Sequence, residues 1–560
     1  MVTTPEGDIH ETARCDRQQY VDSVVAADAR KKIVVGGPGT GKTLLFRTVL
    51  DGKPNTLTLT FVNALVEDLS LELFGLSEVR TLHGFARQQL GKVTQRTVLV
   101  FPKLSGVVRQ DALILLGADV GFEALFQNKA DGDENIEFYR KRRVYYGRYG
   151  FSDMIYAAVR FFEQNPGRVP RYTQVVVDEF QDFNALEVAL IELLALRSPV
   201  LLTGDDDQAL YETLKYASAQ HIRQRHANAA FGYQSFTLPY CSRCTRVIVE
   251  AYNDIISGAV RAGCLRNRID KTFRYFDEPR KDQQSERYPA LVYGQMYARQ
   301  IPWFIGGRIK EIAGEVRDKF SVLVLSPTRT QCRDIQGALR KKGFQNIQYT
   351  EKQESLEPTL LEGLNLLLED STGNLGWRVT ARALLPPADF EPLLAQTGKD
   401  NSPPRFCDIV PAALKKEVRS LLQILRAARN GKRGGDDEST VNLLKRLEID
   451  PVGRAMEFVR DQVTLPGRHP LDSGIKNIFI TVSTIPSAKG LAADYVFITH
   501  FDDRYFIKDK DKSRVSDQDV CSFIVALTRA RKEVFLISSE KNKKPRFLEW
   551  INEARIRAVG

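Results

Sequence analysis

Short β-branched runs bounded by polar or glycine-rich residues recur in two groups along the chain. Ile33 to Val35, Thr56 to Phe61, Val175 to Val177 and Val200 to Leu202 form the first group. Val322 to Leu325, Ile478 to Val482, Tyr495 to Thr499 and Val534 to Ile537 form the second. Apolar runs without strict alternation predict strands covered on both faces, as in parallel sheets flanked by helices. In the first group each run ends at a residue able to do chemistry, which is where ligands bind in open α/β sheets. The intervening stretches read as helical. The fold class expected is therefore α/β, with two parallel-sheet lobes, each carrying a mostly helical insertion. The boundaries are 1–84 plus 168–232 for the first lobe and 85–167 for its insertion, then 233–349 plus 475–560 for the second lobe and 350–474 for its insertion. Such excursions are tolerated because closure entropy grows slowly with loop length.

A chain of 560 residues agrees with several domains. It has 80 Lys and Arg against 70 Asp and Glu, a net charge of +10, which suits a polyanionic partner without requiring one. Seven scattered cysteines argue against a disulfide framework, and the Cys241-x-x-Cys244 pair lacks a second ligand pair at zinc-binding spacing. No run has the apolar length of a membrane span, and residues 1–20 lack the apolar core of a secretory signal, so a cytoplasmic location is expected.

The chemistry begins at Gly36-Gly37-Pro38-Gly39-Thr40-Gly41-Lys42-Thr43, directly after the first run. Glycines at these positions let backbone N–H groups converge on phosphate oxygens. Lys42 then reaches the β/γ-phosphates, and the Thr43 hydroxyl ligates Mg²⁺. A glycine-rich turn without ligand is rejected, because strand, full motif and following helix pattern occur together. Asp178 and Glu179 end the third run, and there one carboxylate can hold the metal while the next orients or deprotonates the attacking water. Gln208, after Gly204-Asp205-Asp206-Asp207, is placed to sense the γ-phosphate.

These elements together resemble superfamily 1 helicases of the UvrD/Rep/PcrA type over most of the chain. The resemblance implies RecA-like lobes, ATP and Mg²⁺ as cofactors, and DNA as partner. Gln18 or Gln19 is similar to the family's adenine-reading glutamine, the spacing leaving the choice open. Asp178 to Asp182 resemble its DExQD, and Gly204 to Tyr211 its GDDDQxxY. Leu238 to Arg243 resemble the element whose arginine reaches the γ-phosphate from the second lobe, while Ser487 to Gly490 and Ala526 to Arg531 resemble its later motifs. The resemblance thus implies Arg243 and Arg529 as catalytic cations and Gly490 as nucleotide-binding. It also implies contacts to nucleic acid from Phe61, Asn63, Thr81, His83, Phe85, Tyr216 and Lys489. Three departures stand out: Pro486 replaces the usual His, Ala492 the usual Glu, and residues 212–216 carry a shifted version of the base-stacking element.

Tyr139 to Tyr149 interleave cations with aromatics, so Arg142 and Tyr145 are candidates to track phosphates and stack on bases. The same stretch also reads as a solvated helix face whose tyrosines pack inward. Two functions from different classes follow. One is an ATP-dependent 3′-5′ translocase or helicase on single-stranded or tailed duplex DNA, of the kind used in repair. The other is a DNA-sensing regulatory NTPase that activates a partner nuclease, similar to the helicase-like subunits of phage-defence systems such as Gabija. RNA in place of DNA stays open.

Overall fold

The computed structural model describes residues 5–60, 63–211, 216–316, 318–344, 346–350, 357–398, 402–429, 478–512, 514–540 and 543–559. Fifteen strands are present among them. They are β1 (Lys31–Gly36), β2 (Thr56–Thr60), β3 (Glu78–Thr81), β4 (Gln174–Val177), β5 (Val200–Gly204), β6 (Gln234–Leu238), β7 (Tyr240–Cys241) and β8 (Arg274–Tyr275), then β9 (Leu291–Gln295), β10 (Phe320–Ser326), β11 (Ile347–Thr350), β12 (Ile478–Thr484), β13 (Ala493–Thr499), β14 (Ala530–Ser538) and β15 (Ile556–Val559).

The first six form one parallel sheet in the order β3-β2-β4-β5-β1-β6. Because all run the same way, the carboxyl ends of β1, β4 and β5 lie on one edge. The register sets Val35 beside Gly204 and Val177 beside Leu202, which brings the loops after these strands together. Helix Lys42–Leu50 buries Leu45, Phe46, Val49 and Leu50 against Val34, Val176 and Leu201. Each such side chain contributes roughly 1.5–3 kcal/mol of burial free energy.

A second all-parallel sheet has the order β11-β12-β10-β13-β14-β9-β15. Ile301, Ile305, Ile309 and Ile312 recur at helical spacing on helix Ile301–Glu315 and close over Val322, Val324 and Phe497. Both sheets belong to one compact unit, Met1–Phe85, Val159–Lys352 and Asp472–Gly560.

Ala86–Ala158 and Gln353–Leu471 make up a second compact unit, which is helical among its described residues. Its apolar core joins Leu364, Leu367, Trp377, Phe390 and Phe406, with Ile114 and Leu115 packed against them. At its centre Asp111 is fully buried. One carboxylate oxygen accepts from Arg142 Nε at 2.8 Å and from the Tyr146 hydroxyl at 2.5 Å. The other accepts from Arg378 Nε at 3.1 Å and Nη2 at 2.8 Å. No described helix is long and apolar enough to cross a membrane.

Candidate nucleotide site and nucleic-acid residues

The loop from Gly36 to Gly41 joins β1 to helix Lys42–Leu50 with Gly39 at φ +72° and Gly41 at φ +89°. A Cβ on Gly39 would also meet the Cβ of Arg243 at 2.4 Å, so both space and backbone demand glycine there. The Thr40 hydroxyl donates to the Gly37 carbonyl at 2.9 Å. Lys42 folds its ammonium back onto the carbonyls of Gly36 at 3.1 Å and Gly37 at 3.4 Å. Arg243 is held at the loop by its neighbour, since Ser242 N donates to Gly39 O at 3.0 Å.

Asp178 and Glu179 follow β4. The Asp178 Oδ1 accepts from Thr203 Oγ1 at 3.0 Å and from Glu179 N at 2.9 Å. Burial, then the charge of Glu179, pushes the Asp178 carboxyl up to about 6. That is the environment a divalent cation would relieve. The hydroxyl of Thr43 and this carboxylate are hard oxygen donors of the kind Mg²⁺ prefers, with phosphate and water completing its shell, so these residues fit magnesium.

Glu179 behaves oppositely. Burial opposes its charge, but Lys489, Lys42 and a 2.5 Å bond from Gln181 Nε2 outweigh it and hold the carboxyl down at about 2. Its backbone is left-handed, at φ 54°, a costly conformation for a residue with a Cβ. An ionised carboxylate in a fixed, strained position is suited to accept a hydrogen bond from a water and orient it, and is too weakly basic to be a strong proton acceptor.

The second sheet supplies a cation to the same place. Arg529, next to β14, donates from Nη2 to Gln208 Oε1 at 2.9 Å and from Nη1 to the Leu491 carbonyl at 3.3 Å. Burial, then repulsion from Arg243, lowers its guanidinium to about 10. Gln208 in turn donates from Nε2 to Asp205 Oδ2 at 2.7 Å. Carboxylates and the Gln208 amide on loops of the first sheet therefore face Arg529 of the second, with Arg243, on the stretch after β7, held at the phosphate loop.

The pattern of the AAA domain family matches residues 21–214, and that of the UvrD-like helicase C-terminal domain matches residues 413–541. The chain is thus similar to the UvrD-like helicases. It is 21% identical over 462 residues to the ATP-dependent DNA helicase PcrA of Staphylococcus aureus, covering 72% of this chain and 62% of that protein. A segment of 87 residues is 39% identical to DNA helicase II of Escherichia coli, covering 15% of this chain and 12% of the relative. The chain thus spans only part of the length of the curated relatives it matches.

Within this UvrD-like frame, several expected residues lie elsewhere. Gln18 is exposed and bonds Asp22 at 2.8 Å, and Gln19 is also exposed. It is Arg17 and Tyr20, on the inner face of the same helix, that line a small pocket beside the phosphate loop with Thr40, Gly41, Leu44 and Tyr240. Positions 17, 20 and 21 share one helix face, on which Val21 is buried, Arg17 half-buried and Tyr20 still 37% exposed. Tyr20 and Tyr240 meet edge to face at 6.2 Å, and Arg17 lies 4.9 Å over the ring of Phe276. These aromatics carried no spacing signal in the sequence.

Lys489 was expected on nucleic acid, but it is buried: its ammonium bonds Asp182, reaches the Gln208 carbonyl at 2.7 Å and lies 3.7 Å from Glu179. An uncompensated cluster of carboxylates at that depth needs a cation, and Lys489 supplies it. Gly490 follows in a left-handed conformation, φ +90°.

Phe85 is fully buried and presents no ring for stacking in this conformation. Thr81 accepts from Gly84 N at 3.0 Å at the start of its helix, with the half-buried His83 between them in sequence. Tyr216 is half exposed, with φ 51°. Phe61 falls outside the described residues, and of Asn63 only the backbone is described, as the first residue of helix Asn63–Glu72.

Arg142 does not track phosphates in this structure, because it is spent on Asp111 and on Thr397, whose carbonyl and hydroxyl it reaches at 3.2 and 3.1 Å. Tyr145 is partly buried and donates to the Pro404 carbonyl at 2.9 Å. The inward-packing alternative describes both residues, since a buried carboxylate outcompetes solvent for the guanidinium.

Proposed function

We propose that this chain is an ATP-dependent motor on DNA, hydrolysing ATP in the seam between its two parallel sheets and moving 3′ to 5′ along a single strand or a tailed duplex. The observation that carries this reading is the convergence of Lys42, Asp178, Glu179 and Gln208 on the first sheet with Arg529 from the second and Arg243 from the stretch after β7. The names of the relatives, ATP-dependent DNA helicase and DNA helicase II, support it.

In this reading the loop amides and Lys42 bind the triphosphate, with Lys42 exchanging its carbonyl partners for β/γ-phosphate oxygens. Thr43 and Asp178 hold magnesium, which neutralises charge on the phosphate oxygens. Glu179, kept ionised by Lys489, orients the attacking water. Arg243 and Arg529 stabilise charge on the transferring phosphoryl, and Gln208 reports its presence to Arg529. The base lies in the pocket of Arg17, Tyr20 and Tyr240. Since Arg529 belongs to the second sheet, each cleavage event changes the force holding the two sheets together, and that change drives movement.

The deciding experiment measures ATP hydrolysis with and without single-stranded DNA, then strand displacement on 3′-tailed and 5′-tailed duplexes. Stimulated hydrolysis with displacement of the 3′-tailed duplex supports the motor. Stimulated hydrolysis without displacement by the isolated chain favours a DNA-sensing NTPase that licenses a partner. Hydrolysis indifferent to DNA sinks both.

A further inference from the structure

Asp205, Asp206 and Asp207 follow β5 with side chains that have no exposure at all. Three adjacent buried carboxylates repel one another and lose hydration, a combination tolerated only with close cations. A metal is one way to supply the charge, and the three carboxylates do converge within 4.8 Å. An ammonium already occupies that position. Lys271 Nζ lies 2.9 Å from Asp205, 2.5 Å from Asp206 and 2.8 Å from Asp207, with its own side chain 3% exposed. Arg268 adds a two-pronged contact to Asp207 at 3.1 and 2.7 Å, and the Tyr252 hydroxyl donates to the same carboxylate at 2.8 Å. Asp206 accepts from Ile269 N at 2.9 Å and from Arg223 Nε at 3.0 Å.

The sources of these groups matter. The carboxylates hang from the turn after β5 in the first sheet. Lys271, Arg268, Ile269 and Tyr252 come from residues beyond β6, on the stretch that leads towards the second sheet. Asp205 faces two ways: one oxygen meets Lys271 at 2.9 Å, and the other accepts from Gln208 Nε2 at 2.7 Å. Gln208 then accepts from Arg529 at 2.9 Å. A continuous polar chain therefore runs Lys271, Asp205, Gln208, Arg529. Its two middle members hang from the first sheet, while its ends come from the stretch beyond β6 and from beside β14 of the second sheet.

We infer that Lys271 is a positioning residue for phosphoryl transfer: by fixing Asp205 it fixes the amide of Gln208, and through it the guanidinium of Arg529. This rests on the motor reading above, because Gln208 and Arg529 matter only if the seam cleaves a triphosphate. Of the three carboxylates that Lys271 pairs with, Asp205 is the one that bonds the Gln208 side chain, so an effect on the Gln208 amide runs through Asp205. A lysine that merely stabilised the fold would act independently of Gln208.

The test is a double-mutant cycle in the full chain, using Lys271→Met, Gln208→Ala and both together. Steady-state ATP hydrolysis is measured over a range of ATP concentrations, with and without oligo-dT, and thermal melting monitors folding. Lys271→Met is expected to lower kcat roughly 10- to 100-fold while moving KM for ATP less than about threefold. In the Gln208→Ala background the same change should cost less than about twofold, because coupled residues are non-additive. Lys271→Arg should recover much of the rate. Equal losses in both backgrounds, or a change confined to KM, overturn the inference. If Lys271→Met does not fold, Asp205→Asn replaces it in the cycle, keeping the shape while removing the charge that Lys271 holds. Turnover by the wild type that ignores oligo-dT sinks the motor reading and leaves the cycle to judge Lys271, whereas no turnover at all sinks both.

Discussion

Arg529 donates to the side-chain oxygen of Gln208 at 2.9 Å, joining the last motif of the second sheet to the phosphate sensor of the first. With both groups buried, little solvent screens this contact. Arg529→Ala should therefore remove a transition-state cation and release the sensor together. Turnover is expected to fall about 10³-fold or more, as for other arginine fingers, with nucleotide affinity changed much less. Pre-steady-state hydrolysis with a separate nucleotide-binding titration checks this, and a comparable loss of affinity would count against it.

Lys42 donates to two loop carbonyls, and its charge acts on Asp178 and Glu179. Lys42→Ala should abolish ATP hydrolysis, by roughly 10²- to 10³-fold at least, without unfolding the chain. Melting curves superimposable on the wild type, alongside absent turnover, are the expected pair of results.

The pocket beside the phosphate loop should report on the base rather than on the chemistry. Tyr240→Ala removes one aromatic wall, and an exposed cation–π or stacking contact is worth about 1 kcal/mol. KM for ATP should rise severalfold with kcat nearly constant, and the preference for ATP over GTP should shrink. A fall in kcat alone would mean that Tyr240 supports Arg243 instead.

Both sheets were legible in the sequence because their central strands are continuous apolar runs: β1, β4, β5, β10, β12, β13 and β14 all coincide with predicted ones. The strands that escaped notice lie towards the edges. β3 and β15, with sequences Glu-Val-Arg-Thr and Ile-Arg-Ala-Val, are covered on at most one side and bear charge, so their pattern does not stand out. At the site, motif spacing located Lys42, Glu179 and Gln208 because those roles need a fixed position after a strand. It could not locate Arg17, Lys271 or the true partners of Lys489. Their contacts reach from 65 residues, for Lys271 and Asp206, to 307, for Lys489 and Asp182, and only the closed fold says which partner each cation meets.

Asp153 gives the second unit a pH signature. Burial pushes its carboxyl up to about 7, with Tyr139 donating to one oxygen at 3.1 Å and Arg143 lying 3.8 Å from the other. Since the folded chain holds this proton more tightly than the unfolded chain does, the group's contribution is most favourable below about pH 4. It becomes steadily less so as pH rises through 7. At about 1.4 kcal/mol per unit, the span amounts to several kcal/mol at most. Asp153→Asn should flatten that dependence, giving little change near pH 5 and a gain near pH 8 in urea unfolding.

Asp111→Ala should be the most damaging single change in the second unit, because it strips the shared partner from two buried guanidinium groups. Breaking a buried pair from one side costs about 3–5 kcal/mol. Denaturant unfolding should show that loss, while Arg140→Ala, an exposed pair with Glu137 on the same helix as Arg142, should shift the midpoint by less than about 1 kcal/mol.

The carboxylate of Asp111 arrives on the chain's first long excursion and the guanidinium of Arg378 on its second, some 267 residues later. Neither excursion can be trimmed or swapped alone without leaving a bare charge in an oily interior. A chimaera with a relative must exchange the two as one cassette, and a fragment containing just one of them should be insoluble.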